Sequence, residues 1–177
     1  MGQGNLFLVG MMGAGKTTLG KALARRTGRD FVDTDRLLVE RTGVPVATIF
    51  EIEGEQGFRR RESMLLEEVA EANDRIVATG GGIILAPENR RVMRASGTVV
   101  YLHARVDRLW ERTRHDMSRP LLATPDPRGT LASLAQVRDP LYREAAHIVV
   151  ETGSQSAKTL VDRVLAALRA REAEGTP

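Results

Sequence analysis

Residues 10–17, "GMMGAGKT", combine residue types and spacing that can bind phosphate. They follow the apolar run "NLFLV" and match the pattern glycine, four residues, then Gly-Lys-Thr, which between a strand and a helix is typical of a phosphate-binding loop. The glycines let backbone N–H groups surround phosphate oxygens, with the positive end of the next helix behind them. We therefore predict that Lys16 reaches the β and γ phosphates of a nucleotide and that Thr17 holds Mg²⁺. A glycine turn that only caps a helix is the alternative.

A second candidate site is the glycine triplet in "TGGG", residues 79–82, after the apolar run "RIVA". Consecutive glycines are costly in backbone entropy and add nothing to packing, which favours close approach of a ligand to the backbone. In a doubly wound sheet the strand ends beside the phosphate loop form the ligand crevice. A plain flexible turn is the alternative.

The Asn-Lys-x-Asp pattern with which GTPases bind the guanine base does not occur in the sequence.

Two carboxylates follow another apolar stretch in "DTD", residues 33–35. If the segment is extended, Asp33 and Asp35 project to the same side of it. One carboxylate near Mg²⁺ and one near an acceptor hydroxyl would suit phosphoryl transfer to an alcohol. An equal alternative is that one of the two only caps a helix.

The stretch "GFRRRESMLLEEV", residues 57–69, predicts an amphipathic helix with three arginines at its start. At about 100° per residue one face is apolar, and its members are Phe58, Leu65, Leu66 and Val69. Glu62 falls in the middle of this face, where a buried carboxylate needs a partner, and Arg59 borders the face three residues earlier. Arg60 points to solvent and Arg61 lies at the other border. We infer that Glu62 orients Arg59 to bind an anionic group; a purely structural ion pair is the alternative.

Strands and helices that alternate along the chain indicate an α/β fold with a parallel sheet, because the apolar runs are continuous, as in strands covered on both faces. The predicted strands are residues 5–10, 30–35, 75–82, 98–103 and 147–151. The predicted helices are residues 16–26, 58–73, 87–95 and 156–171. The last helix carries an apolar stripe that we assign to the core. The proline-rich segment 114–129 is predicted to form a loop on the surface.

The composition of the 177 residues predicts a single globular domain, because 42% of them are hydrophobic. With no cysteine, no leader and no apolar run of roughly 20 residues, we expect a cytoplasmic protein without a membrane partner. The 26 basic and 23 acidic residues are interspersed, which argues against nucleic-acid binding. The three histidines lack metal-ligand spacing.

These motifs together resemble the shikimate kinase family. The most specific is "IFEIEGEQGFRRRE" (49–62), which is similar to a family signature. The others, in the family's order, are "GMMGAGKTTLG" (10–20), "DTD" (33–35), "ATGGGIIL" (78–85), "RPLL" (119–122) and "RDPLY" (138–142). The resemblance covers roughly residues 5–165.

The resemblance implies roles for individual residues. Lys16, Asp35 and Arg119 would be catalytic, with Asp35 at the hydroxyl that receives the phosphate. The ATP-binding set would be Gly13, Ala14, Gly15, Lys16, Thr17, Thr18, Arg112, Arg119 and Gln155. The shikimate-binding set would be Asp35, Arg59, Gly80, Gly81, Gly82 and Arg138. Thr17 and Asp33 would lie at the metal, and Phe50 and Phe58 would form an apolar wall or belong to the core.

The resemblance further implies a three-layer α/β/α phosphate-loop kinase fold, with a five-stranded parallel sheet in the order 2-3-1-4-5, similar to nucleoside monophosphate kinases. Residues 1–177 would form one kinase domain, with a substrate-binding region at about 33–61 and a lid at about 112–128. We expect a monomer that uses ATP and Mg²⁺ to phosphorylate the 3-hydroxyl of shikimate. The alternatives are another small-molecule kinase, such as one similar to gluconate kinase, or a nucleotide-binding module without catalysis.

Overall fold

Five parallel strands form a single sheet in the order β2-β3-β1-β4-β5 in this computed structural model, which describes residues 4–174. The strands are β1 (Asn5–Val9), β2 (Asp30–Asp33), β3 (Arg75–Ala78), β4 (Gly97–Ala104) and β5 (Ile148–Thr152). The α/β class and the strand order implied by the resemblance are confirmed.

Among the described residues, seven α-helices cover the two faces of the sheet. They are α1 (Lys16–Thr27), α2 (Thr34–Thr42), α3 (Val46–Glu71), α4 (Pro87–Ser96), α5 (Val106–Thr113), α6 (Pro127–Ala145) and α7 (Ala157–Glu174). Helix α1 packs against α7, whereas α4 packs against both α3 and α6. Within residues 4–174, no helix is both long enough and apolar enough to cross a membrane.

The centre of the core is β1, whose five residues are all buried. It lies between β3 and β4, so helices cover both of its faces and its apolar run needs no alternation. In α7 the predicted apolar stripe is confirmed, because Val161, Val164 and Leu165 are buried in the same core. This central strand carries the phosphate-loop sequence at its carboxyl end.

The expectation that Asp33 and Asp35 share one side of an extended segment is wrong. Strand β2 ends at Asp33, and α2 begins at the next residue, so Asp35 lies in the first helical turn. The side chain of Asp33 accepts a hydrogen bond from the backbone N–H of Arg36, at 3.1 Å, as a helix N-cap does. Asp33 therefore caps a helix, but it does not only do so, because its Oδ2 also accepts a hydrogen bond from the Thr17 hydroxyl at 2.6 Å.

Four helices differ from the prediction. Helix α3 begins twelve residues before the predicted residue 58 and is interrupted at Gly54, whose φ of 70° and ψ of 177° are not helical. Helices α2, α5 and α6 were not predicted at all. Helix α6 contains Pro140 in its interior. Proline lacks the N–H that a helix interior needs, so its presence in the sequence argued against a helix there. The proline-rich segment contains a short 3₁₀ turn, Pro120–Leu122, and the start of α6.

Candidate active site

The phosphate-loop sequence forms a tight loop between β1 and α1. Gly10, Gly13 and Gly15 have φ values of 150°, 80° and 95°, which residues with a side chain rarely adopt. A Cβ on Gly10 would also lie 2.6 Å from the backbone oxygen of Leu102. Helix α1 begins at Lys16 without a side-chain cap, so its first N–H groups are available to an anion. The geometry fits a bound phosphate.

The side chain of Lys16 is buried inside this loop. Its Nζ donates hydrogen bonds to the backbone oxygens of Gly10, at 2.6 Å, and Met11, at 2.9 Å. Burial lowers the pKa of Lys16 to about 8, and the nearby carboxylate of Asp35 is the largest opposing influence. Phosphate oxygens beside this amine would favour its charged form.

Thr17 and Asp33 lie side by side at the edge of the loop. The Thr17 hydroxyl donates to Oδ2 of Asp33 at 2.6 Å. Both are hard oxygen ligands of the kind that Mg²⁺ prefers, and Mg²⁺ usually keeps several waters and binds substrate phosphates as well. Residues 4–174 contain no group of three or more acidic or histidine side chains that could hold a metal by themselves. The pair therefore fits a metal ion that arrives with a nucleotide.

One cavity of about 620 Å³ adjoins the phosphate loop through Met12. All six residues predicted to bind the acceptor line it, and Arg119 lines it as well: Asp35, Arg59, Gly80, Gly81, Gly82, Arg138 and Arg119. Phe50 and Phe58 form part of its wall, with ring centroids 4.8 Å apart. The structure thus gathers side chains from four separate segments around one space.

The inferred pairing of Glu62 with Arg59 is confirmed. Glu62 is 2% exposed, and its Oε1 accepts from Nη1 of Arg59 at 3.0 Å. Arg60 is exposed, as the helix periodicity predicts. Arg61 instead pairs with Glu53, at 2.6 and 2.8 Å, on the outer surface. Only Arg59 among the three arginines therefore reaches the cavity.

Two glycines of the triplet are required for steric reasons. A Cβ on Gly80 would lie 2.6 Å from Glu62 Oε2 and 2.8 Å from Asp35 Oδ1. A Cβ on Gly82 would lie 2.3 Å from the guanidinium carbon of Arg59. None of the three glycines has a φ in the left-handed region. At Gly80 and Gly82 the missing Cβ therefore lets Glu62, Asp35 and Arg59 pack directly on the backbone, which favours the site interpretation over a plain flexible turn.

Opposing charges surround Asp35. Burial raises the pKa of its carboxyl, and the neighbouring charge of Asp33 raises it further, whereas Lys16 and Arg59 oppose the rise. Arg119, from the segment before α6, also lowers this pKa, and its Nε lies 2.8 Å from Oδ2 of Asp116. A carboxyl group with a raised pKa beside a cationic cluster is placed to bind a hydroxyl and accept its proton.

Two residues of the predicted ATP-binding set, Arg112 and Gln155, lie together beside the phosphate loop. Arg112 donates to the backbone oxygens of Gly13, at 3.0 Å, and Gly153, at 2.9 Å. The N–H of Gly153 donates to Oε1 of Gln155 at 2.7 Å. Thr18 is exposed on the first turn of α1. Arg112 and Gln155 thus lie together, outside the cavity that holds the acceptor residues.

Sequence reasoning does not find every residue of the cavity. The turn between α2 and α3 contributes an apolar wall, which includes Val44, Pro45 and Val46. Tyr142, whose hydroxyl donates to the backbone oxygen of Gly81, was not singled out either. Tyr142 follows Arg138 by four residues, so the two lie on one side of a helix. This spacing could not be used in the sequence analysis, because α6 was not predicted.

A family model described as shikimate kinase matches residues 12–169. The chain belongs to the shikimate kinase family. The shikimate kinase of Nitrosospira multiformis is 58% identical over 157 residues, which are 89% of this chain and 80% of that protein. The shikimate kinase of Bordetella avium is 56% identical over 94% of this chain and 80% of its own.

Solved structures agree with this family membership. A structure of shikimate kinase from Acinetobacter baumannii in complex with shikimate has a TM-score of 0.93 and 43% identity, over 96% of this chain and 94% of that one. A gluconokinase from Sinorhizobium meliloti 1021 has a TM-score of 0.58 at 19% identity, over 97% of this chain and 94% of that one. The second likeness shows a shared fold alone.

The buried carboxyl of Glu62 predicts a pH dependence of stability. Burial raises its pKa to about 7 in the folded protein, although Arg59 opposes the rise, while the ordinary value is 4.5. The folded state therefore binds more protons than the unfolded state between these values, and stability falls as pH rises through this range. Relative to Glu62→Gln, the wild-type free energy of unfolding should fall by about 1–3 kcal/mol from pH 5 to pH 8.

Urea unfolding at four pH values measures this difference. Glu67→Gln, at an exposed position on the same helix, is the control and should follow the wild-type profile. Parallel profiles for the wild type and Glu62→Gln would contradict the prediction. They would show that the charge of Arg59 cancels the effect of burial on the pKa of Glu62.

Proposed function

We propose that this chain transfers the γ-phosphate of ATP to the 3-hydroxyl of shikimate and releases shikimate 3-phosphate and ADP. Its membership of the shikimate kinase family supports ATP use and this reaction. The structural neighbour from Acinetobacter baumannii, which carries shikimate, supports the acceptor. The same reaction belongs to the synthesis of chorismate and the aromatic amino acids.

The observation that carries the proposal is the composition of the cavity beside the phosphate loop. Two arginines, Arg59 and Arg138, line the same space as Asp35 and the glycine triplet. A guanidinium forms paired hydrogen bonds with a carboxylate, so two of them suit the acid group of shikimate. Asp35 then lies where a ring hydroxyl would face the nucleotide.

Arg138 is the more enclosed of the two arginines. It is 2% exposed, and no carboxylate within residues 4–174 lies within 4 Å of its guanidinium nitrogens. Arg59 by contrast is held by Glu62 and, at 3.3 Å, by Glu55. A bound acid group would compensate the buried charge of Arg138, which favours an anionic ligand over a neutral sugar.

The transfer itself requires positioning and charge neutralisation. The acceptor oxygen forms a bond to the γ-phosphorus while the bond from that phosphorus to the β,γ-bridging oxygen breaks. Asp35 orients the hydroxyl and is placed to accept its proton. Lys16 and Arg119 neutralise the negative charge on the transferring group. These three are the catalytic residues of the proposal.

Thr17 and Asp33 would hold Mg²⁺, Thr17 through its hydroxyl and Asp33 through water. The ion would supply positive charge at the β and γ phosphates. The ATP-binding set of the sequence prediction, from Gly13 to Thr18 with Arg112, Arg119 and Gln155, completes the nucleotide site in this proposal.

Water must be kept from the γ-phosphate, because hydrolysis competes with transfer. We assign this task to a lid at about residues 112–128, which carries Arg119, and we assign acceptor binding to a region at about 33–61. We further propose that residues 1–177 act as one kinase domain, as a monomer in the cytoplasm, on a small molecule and without nucleic acid or membrane as a partner.

The direct test of the proposed function is ADP release from ATP and Mg²⁺ with and without shikimate. Turnover should depend on shikimate, and gluconate, other sugar acids and polyols should not replace it. Faster turnover with one of those acceptors would favour a kinase similar to gluconate kinase. Protein that binds ATP but transfers no phosphate in a single-turnover experiment would be a nucleotide-binding module.

Substitution of Arg59 tests the acceptor site. Arg59→Ala should weaken shikimate binding by about 2–5 kcal/mol, because one partner of a largely buried charge pair is lost. Arg60→Ala is the matched control, since the neighbouring side chain is exposed and should leave the affinity unchanged. Isothermal titration with shikimate measures both. Equal affinities for wild type and Arg59→Ala would contradict the assignment of Arg59.

Substitution of Asp35 tests the chemistry. Asp35→Asn keeps the size of the side chain but cannot accept the proton, so kcat should fall by at least about 100-fold while ATP binding changes little. Glu40→Gln, an exposed position on the same helix, is the control for loss of a negative charge. A kcat within a few fold of wild type for Asp35→Asn would remove Asp35 from the mechanism.

A further inference from the structure

Tyr142 joins two parts of the acceptor cavity without lining it. Its side chain is fully buried on α6, and its hydroxyl donates a hydrogen bond to the backbone oxygen of Gly81. Gly81 is the middle residue of the glycine triplet and lines the cavity. The hydroxyl therefore holds the triplet from the side opposite the ligand.

The hydrogen bond to Gly81 also orients the next N–H group. A trans peptide unit is planar, so its C=O and N–H point in opposite directions. Because the oxygen of Gly81 points to Tyr142, the N–H of Gly82 points away from Tyr142, and both glycines line the cavity. Arg59 packs on Gly82, since a Cβ there would lie 2.3 Å from its guanidinium carbon. The N–H of Gly82 and the guanidinium of Arg59 thus lie close together at the wall of the cavity.

Arg138 lies on the same helix, four residues before Tyr142. A Cβ on Gly81 would be 3.5 Å from Nη1 of Arg138, so this guanidinium lies next to the triplet. Burial raises the pKa of the Tyr142 hydroxyl, and the nearby charge of Arg138 opposes the rise. The hydroxyl remains protonated and donates to Gly81 while Arg138 adjoins its oxygen.

The ring of Tyr142 is held by a second tyrosine. It stacks on Tyr101, with centroids 4.8 Å apart and an angle of 23° between the planes. Tyr101 is itself tied to α6, because its hydroxyl donates to Oδ1 of Asp139 at 2.8 Å. The aromatic stack therefore fixes the position of the Tyr142 hydroxyl relative to Gly81 and Arg138.

We propose that Tyr142 is a positioning residue for the acceptor carboxylate, which fixes the Gly81 peptide and Arg138 relative to each other. The inference rests on the proposed function, since it concerns the acid group of the same acceptor. Tyr142 touches neither substrate, so its effect is confined to the geometry of the groups that bind the carboxylate. The phosphate loop and Asp35 do not depend on it.

Tyr142→Phe tests this inference, because it keeps the stacked ring and removes only the hydroxyl. The Gly81 oxygen loses its buried partner, so KM and Kd for shikimate should rise about tenfold or more. The value of kcat at saturating shikimate and KM for ATP should change little, whereas the thermal midpoint should fall, because a buried carbonyl oxygen is left unpaired. Ser133→Ala is the control, because it removes an exposed hydroxyl from the same helix, and it should retain the wild-type KM.

A second acceptor separates positioning from general structural support. In an analogue with a hydroxymethyl group in place of the carboxylate, kcat/KM for Tyr142→Phe should stay within about twofold of wild type. An equal loss of kcat/KM with both acceptors, or a fall in kcat together with a rise in both KM values, would show that the bond is only structural and would overturn the inference. An unchanged KM for shikimate in an active enzyme would overturn it as well. A wild type without shikimate-dependent turnover would instead overturn the proposed function, and this inference with it.

Discussion

The buried carboxylate of Glu62 imposes the strongest constraint on the acceptor cavity. A carboxylate that is 2% exposed requires a cation, and Arg59 supplies it at 3.0 Å. That pair packs so closely on the backbone that Gly80 and Gly82 can carry no side chain. The helix face of α3, the ion pair and the glycine triplet are therefore one interdependent unit, and a change in any of them displaces the guanidinium that lines the cavity.

The parallel sheet explains why this unit lies beside the phosphate loop. Strands β1, β2 and β3 are neighbours, and their carboxyl ends open on one edge. The phosphate loop, Asp33 and the glycine triplet follow those three ends in turn. Burial lowers the pKa of Lys16 and raises that of Asp35, so the enclosed site disfavours the charge on each group. Phosphates and a polar acceptor would supply the partners that restore those charges.

Local patterns were sufficient for the parts of the site that lie within one helix or one loop. The phosphate loop depends on glycines at fixed spacing, and the pair Arg59 and Glu62 depends on helical periodicity, so both follow from neighbouring residues. Asp33 and Asp35 show the limit of this reasoning. Two residues apart in an extended segment they would share a side, but the helix that starts between them gives them different tasks. From the sequence, a helix cap formed by Asp33 could be named only as one of two alternatives.

The sequence by itself determined the α/β class, the phosphate loop, the family and the single arginine of three that faces inward, because each depends on short-range spacing or on motifs that can be compared directly. Only the tertiary structure decided which distant segments meet. Helix α6 brings Arg138 and Tyr142 to a triplet about sixty residues earlier, and the turn between α2 and α3 adds an apolar wall. Contacts of this range depend on how helices pack on the sheet, which no local period encodes.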